Sequence, residues 1–118
     1  VEDTRLVLDD RQIVGTSNAL LTEAEESVRD GADYLAVGTI FPTSTKSDTR
    51  PAGLDTLRAV SESCPGQVVA IGGINASNLA SVVEAGADII CVATAVTRAE
   101  DVAAATSELV DLFGRAKG

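Results

Sequence analysis

The chain contains no histidine, no methionine and no tryptophan, and has only two cysteines, two lysines and three aromatic residues. Without histidine, hydrolytic triads built on an imidazole base are excluded. Cys64 and Cys91 stand far apart with no CxxC spacing, which excludes a zinc site of ordinary composition. Both thiols are expected to be packing residues in a reducing compartment, the cytoplasm. No apolar run exceeds a few residues, so no membrane span is expected, and no secretion signal opens the chain. Cations are scarce: 9 Lys+Arg face 18 Asp+Glu, a net charge of −9. No basic face can be assembled from so few, so nucleic acid is not an expected partner. An acidic chain that grips an anionic small molecule needs local devices: backbone amides, helix N-termini, a lone lysine or a metal ion.

What remains is a chain of 118 residues with an apolar fraction of 45 %. That is enough for one domain, 1–118, with one core, and too little for two. The chain opens on Val1 rather than methionine, which reads as a processed product or a piece of a longer protein. Four short runs rich in Val, Ile and Leu (12–17, 34–39, 68–72 and 89–94) barely alternate in polarity. This pattern predicts strands covered on both faces, as in a parallel sheet. Between and after them lie stretches of helical spacing at 20–29, 54–61, 76–85 and 102–113. The expected fold class is therefore α/β, four consecutive βα units with right-handed crossovers.

A repeat supports the count. Gly31-Ala32-Asp33 and Gly86-Ala87-Asp88 each precede a predicted strand, 55 residues apart, with Gly placed to end a helix. Four units make either half of an eight-stranded barrel or a small open sheet, and the pattern alone does not choose between them. A half barrel leaves two open edges and an apolar inner face, which a second copy or a complementary half would cover.

Ligands in both architectures sit beyond the C-terminal strand ends. After the first strand comes Gly15-Thr16-Ser17-Asn18, where Ser17 is either a ligand donor or, with Asn18, a helix cap. After the second comes Thr43-Ser44-Thr45-Lys46, three hydroxyls and the only lysine before the tail. Such donors suit a phosphate or pyrophosphate. After the third comes Gly72-Gly73-Ile74-Asn75-Ala76-Ser77, where two glycines either let backbone approach a ligand or simply make a tight turn, and Asn75 or Ser77 is placed to cap a helix. After the fourth come Ala93 and Thr94, whose amides would close the same cup. Glu2-Asp3 offers carboxylates suited to Mg²⁺, although composition alone favours ordinary surface acids in so acidic a chain.

The segments Gly15-Thr16-Ser17, Val37-Gly38-Thr39-Ile40-Phe41-Pro42-Thr43-Ser44-Thr45-Lys46, Ile71-Gly72-Gly73-Ile74 and Gly86-Ala87-Asp88 resemble the C-terminal half of thiamine phosphate synthase. The resemblance covers nearly the whole chain in the family's order. It implies the C-terminal half of a (βα)8 TIM barrel. The implied reaction joins a pyrimidine methyl pyrophosphate to a thiazole phosphate, with Mg²⁺ and loss of pyrophosphate. It further implies Asp3 as metal ligand, Ser17 on the pyrimidine pyrophosphate and Lys46 on the departing pyrophosphate. Thr43, Ser44, Thr45, Gly73, Ala93 and Thr94 would surround the thiazole phosphate. In such chemistry the pyrimidine methyl carbon ionises as pyrophosphate leaves and the thiazole nitrogen captures the cation, so no histidine base is needed. The family's N-terminal half, with its basic pyrophosphate segment and second metal carboxylate, is not in this chain. The chain alone is therefore expected to be inactive, its partner being a complementary N-terminal half-barrel or a second copy. The alternatives are a non-catalytic phosphate-binding half-barrel and a relative of the thiazole tautomerase branch, the latter disfavoured by the intact Thr43-x-Thr45-Lys46 segment.

Overall fold

A computed structural model of the chain describes residues 4, 6–9, 12–42 and 52–118. Four strands, β1 (Gly15–Asn18), β2 (Tyr34–Val37), β3 (Gln67–Ile71) and β4 (Ile89–Cys91), form one parallel sheet in sequential order. Between them run α1 (Leu21–Arg29), α2 (Gly53–Ser63) and α3 (Leu79–Glu84), and after β4 come a short α4 (Thr94–Thr97) and a long α5 (Val102–Lys117). Four βα units with parallel strands are what the sequence pattern predicts.

The helices cover one face only. Leu35, Val37, Val68 and Ala70 point to that side and join Leu57, Val60, Leu79, Val82 and Leu109 in a single buried cluster. Side chains alternate across a strand, so Tyr34, Ile71, Ile89 and Cys91 point the other way. All four are exposed. The expectation of strands covered on both faces is corrected in this respect: the apolar character of both faces is real, but the chain itself covers only the outer one.

The Gly-Ala-Asp repeat is one device used twice. Gly31 and Gly86 take left-handed φ of 90° and 112° at the ends of α1 and α3. Ala32 and Ala87 then donate five residues back to Ser27 and Val82, and Gly31 and Gly86 three back to Val28 and Val83, the bonding of a Schellman cap. Each Asp next turns to the preceding strand. The Asp33 amide donates to the Val14 carbonyl while the Val14 amide donates to the Asp33 carboxylate, both at 2.7 Å. Asp88 and Val68 do the same, both at 2.9 Å. Each motif thus ends a helix, starts a strand and fixes that strand against its neighbour.

Several boundaries differ from the sequence reading, among them the starts of β1, at Gly15 rather than 12, and of α3, at Leu79 rather than 76. β4 stops at Cys91 rather than running to position 94, because Ala93 begins the turn of α4, accepting from the Val96 and Thr97 amides. α5 continues to Lys117, four residues past the predicted end, because Leu112, Phe113 and Ala116 still pack on the core.

Candidate functional site at the C-terminal strand ends

Ser17 lies on β1 opposite Ala36 of β2, on the inner face one residue short of the strand's end. It is exposed, and its hydroxyl has no hydrogen-bond partner among the described residues. The helix-cap reading of Ser17 and Asn18 does not hold. The Glu23 carboxylate caps α1 instead, accepting from the Ala19 and Leu20 amides at 2.7 and 3.0 Å. Asn18 is buried and has a different task. Its amide nitrogen donates to the Ala36 carbonyl at 3.2 Å, and its oxygen accepts from the Ser27 hydroxyl at 3.0 Å. One side chain therefore ties β1, β2 and α1 together and leaves Ser17 free to face the mouth. The sequence hid this because Asn beside a helix start reads first as a cap.

Gly72 and Gly73 follow β3 with φ of 106° and 72°. The expectation was that they admit a ligand; the structure shows them admitting the neighbouring chain. A Cβ on Gly72 would meet Thr39 Cα at 2.8 Å, and one on Gly73 would meet Phe41 Cβ at 2.8 Å. The segment packed there is pinned by backbone bonds. The Ile40 amide donates to the Ile71 carbonyl at 3.0 Å and the Phe41 amide to the Gly72 carbonyl at 3.1 Å. The Ala52 amide returns to the Thr39 carbonyl at 2.5 Å. Both described flanks of the stretch 43–51 are thus held at the tips of β2 and β3.

Thr43, Ser44, Thr45 and Lys46 themselves lie outside the described residues, as does Asp3. Beyond Gly73, the expectation that Asn75 or Ser77 caps the next helix is corrected: α3 starts at Leu79 behind Asn78 with no side-chain cap bond, and the Asn75 carboxamide oxygen instead closes a turn ahead of it, accepting from the Ser77 amide and hydroxyl at 2.9 and 2.6 Å. Asn78, which the sequence reading did not single out, closes the turn by donating to the Gly73 carbonyl at 2.9 Å. β3 and β4 are paired with Ile71 opposite Cys91. Their continuations, Gly72-Gly73 and Val92-Ala93-Thr94, therefore leave the sheet side by side. Ala93 and Thr94 are exposed at the start of α4. Ser17, Gly73, Ala93 and Thr94 are all brought to the same end of the sheet.

The other lysine is accounted for at the opposite end. Lys117 donates to the Ala87 carbonyl at 3.3 Å and sits 3.8 Å from the Asp88 carboxylate, before β4 begins. Among the described residues, no group of three or more His, Cys, Asp or Glu gathers to hold a metal ion.

The sequence model of a family described as thiamine monophosphate synthase matches residues 1–96. The chain belongs to that family. A thiamine-phosphate synthase of Chloroflexus aurantiacus is 52 % identical over 99 residues, covering 83 % of this chain and 46 % of its own. One from Moorella thermoacetica is 45 % identical over 115 residues, covering 97 % of this chain and 55 % of its own. A solved thiamine phosphate pyrophosphorylase from Pyrococcus furiosus superposes with a TM-score of 0.83 at 46 % identity, over 90 % of this chain and 50 % of that one. This member of the thiamine monophosphate synthase family spans about half the length of the relatives it matches. Its four βα units are half of a (βα)8 barrel. No helix among the described residues is long and apolar enough to cross a membrane.

Proposed function

We propose that this chain supplies the C-terminal half of a thiamine phosphate synthase. The reaction would condense a pyrimidine methyl pyrophosphate with a thiazole phosphate to give thiamine phosphate and pyrophosphate. The observation that carries the reading is the anchoring of Thr39–Phe41 on Ile71 and Gly72. Together with the bond from the Ala52 amide to the Thr39 carbonyl, it holds both described flanks of the stretch 43–51 at the strand tips, in a chain with relatives named for this activity.

In this reading Thr43, Ser44, Thr45, Gly73, Ala93 and Thr94 hold the thiazole phosphate. Hydroxyls and backbone amides are donors to its oxygens. Ser17 contacts the pyrophosphate of the pyrimidine substrate from the inner face. Lys46 meets the charge that builds on the leaving pyrophosphate, a task for which Lys117 is too distant. Two anchored phosphates hold thiazole nitrogen and pyrimidine methyl carbon in line, which is where most of the rate would come from. Mg²⁺ belongs to the proposal through Asp3. A divalent ion would neutralise pyrophosphate, and its remaining carboxylate ligands would come from a complementary half. The exposed inner face fits a state completed by such a half or by a second copy. Cys64 and Cys91 are both free thiols, which suits a reducing cytoplasm.

The test is complementation. The chain is mixed with the N-terminal half of the Pyrococcus furiosus relative, both substrates and Mg²⁺, and thiamine phosphate is measured. Turnover from the mixture and none from the chain alone is expected. In that mixture, Lys46→Ala is expected to lower kcat by at least a hundredfold while changing thiazole phosphate affinity by less than tenfold, since about 2–4 kcal/mol is typical for one transition-state charge partner. Equal loss of both would reduce Lys46 to a binding residue. A mixture that assembles yet binds no thiazole phosphate would overturn the function.

A further inference from the structure

The two units that share the Gly-Ala-Asp device differ in polarity at one spot. Val14 and Val68 are the residues bracketed by Asp33 and Asp88, so they are equivalent. Counting on from them, Thr16, Ser17 and Asn18 of β1 correspond to Ala70, Ile71 and Gly72 at the tip of β3. Ser27 and Val82 correspond as well, since their carbonyls accept from the Ala32 and Ala87 amides at the ends of α1 and α3. All four positions are polar in the first unit, and none carries a polar side chain in the second.

In the first unit these side chains join. Asn18, at 3 % exposure, is among the described residues the one polar or charged residue that is buried. Its amide nitrogen has two N–H groups and serves three oxygens: the Thr16 hydroxyl at 3.1 Å, the Thr16 carbonyl at 3.3 Å and the Ala36 carbonyl at 3.2 Å. Its side-chain oxygen accepts from the Ser27 hydroxyl at 3.0 Å, and its main-chain carbonyl accepts from the Gly38 amide at 3.1 Å. Thr16 precedes Ser17, and Ala36 lies opposite it. The main chain on both sides of Ser17, and the strand beside it, are therefore gripped by one residue backed by α1. A buried carboxamide is costly to desolvate and is tolerated only when bonded. The second unit shows that the fold does not need one. Ala70 and Val82 occupy the equivalent places at 0 % exposure, and β3 pairs with both neighbours. What sets the first unit apart is the residue at its tip: Ser17, an exposed hydroxyl, where the second has Ile71.

We infer that Asn18 is a positioning residue: with Thr16 and Ser27 it fixes the β1 backbone so that the Ser17 hydroxyl is held ready for the pyrophosphate of the pyrimidine substrate. This rests on the catalytic reading above, in which Ser17 makes that contact. A donor held in place before the substrate arrives spares binding the loss of order. Asn18 touches no substrate itself, because its side chain turns away from the mouth toward Ser27 on α1.

The test is a cycle of variants in the complementation mixture, built on Asn18→Leu/Ser27→Ala. Leucine branches where asparagine does, and the second substitution removes the hydroxyl that would lose its acceptor, so the tip is apolar as in the second unit. The thermal midpoint is expected to stay within about 5 °C of the parent. The KM for the pyrimidine pyrophosphate is expected to rise about tenfold, the weight of one hydrogen bond to a charged group, while that for the thiazole phosphate changes by less than about twofold. Placed on Ser17→Ala, the same two substitutions are expected to add no further loss. A merely structural Asn18 would raise both KM values together, or add its full effect to that of Ser17→Ala, and either result overturns the inference. Ser27→Ala alone removes a single bond and serves as the milder variant where the pair does not fold; equal effects on the two substrates would overturn the inference there too. A parent mixture that assembles without turnover takes down the catalytic reading, and the role of Asn18 with it. Turnover with unselective or additive losses removes the role of Asn18 alone.

Discussion

Asn18 shows how one side chain fixes the strand tip that carries Ser17. Its carboxamide spans β1, β2 and α1 at only 3 % exposure, so each group it bonds loses a partner when it is removed. Asn18→Ala is expected to destabilise the fold by about 1–3 kcal/mol, read as a shift in the urea midpoint with little change in slope. Gly72 and Gly73 teach a related lesson. Their presence after a strand was legible in the sequence, and so was their place at the C-terminal strand ends. Their reason was not. Positive φ and contact with Thr39 and Phe41 are properties of the packed neighbour, 30 or so residues away in sequence, and no local pattern encodes them. Glu23 was equally hidden: it caps α1 from inside the helix, a role that a search for Ser or Asn at the cap position passes over.

Elements were the most legible level, since hydrophobic period and glycine placement are local. All four strands and the four longer helices fall where the apolar spacing puts them. The missed piece, α4, is a single turn with no amphipathic period of its own. The Gly-Ala-Asp repeat was visible as spacing, but its aspartates acquire meaning only across the sheet. Val68 is 1 % exposed, and its amide donates to the Asp88 carboxylate. Asp88→Ala strands that buried N–H, with an expected cost of about 1–3 kcal/mol, whereas Asp88→Asn keeps an acceptor and is expected to cost less than half as much. Thermal unfolding of the two variants side by side separates the hydrogen bond from the charge. A ranking in which Asn and Ala are equally damaging would assign the effect to the Lys117 contact instead. That contact is half-exposed and worth little by itself.

At the scale of the whole molecule, the two cysteines report on the two faces of the sheet. Cys64 is buried in the core beside the helices, and burial, followed by the nearby Glu25 carboxylate, pushes its thiol above the ordinary value. Cys91 projects from the exposed inner face. The expectation that both thiols are simple packing residues thus holds for Cys64, whereas Cys91 becomes one only when something covers that face. In a dilute monomer, Cys91 is expected to react with a maleimide at least tenfold faster than Cys64, because attack requires an accessible thiolate. The sign of the pH effect follows from the raised Cys64 value. Below the ordinary thiol range, folded and unfolded chains are both protonated there and stability is unaffected. Above it the unfolded chain releases the proton first, so Cys64 is expected to make stability fall as pH rises, and Cys64→Ala to flatten that slope. A slope that Cys64→Ala leaves unaltered would mean that this thiol is as open to water in the fold as in the unfolded chain.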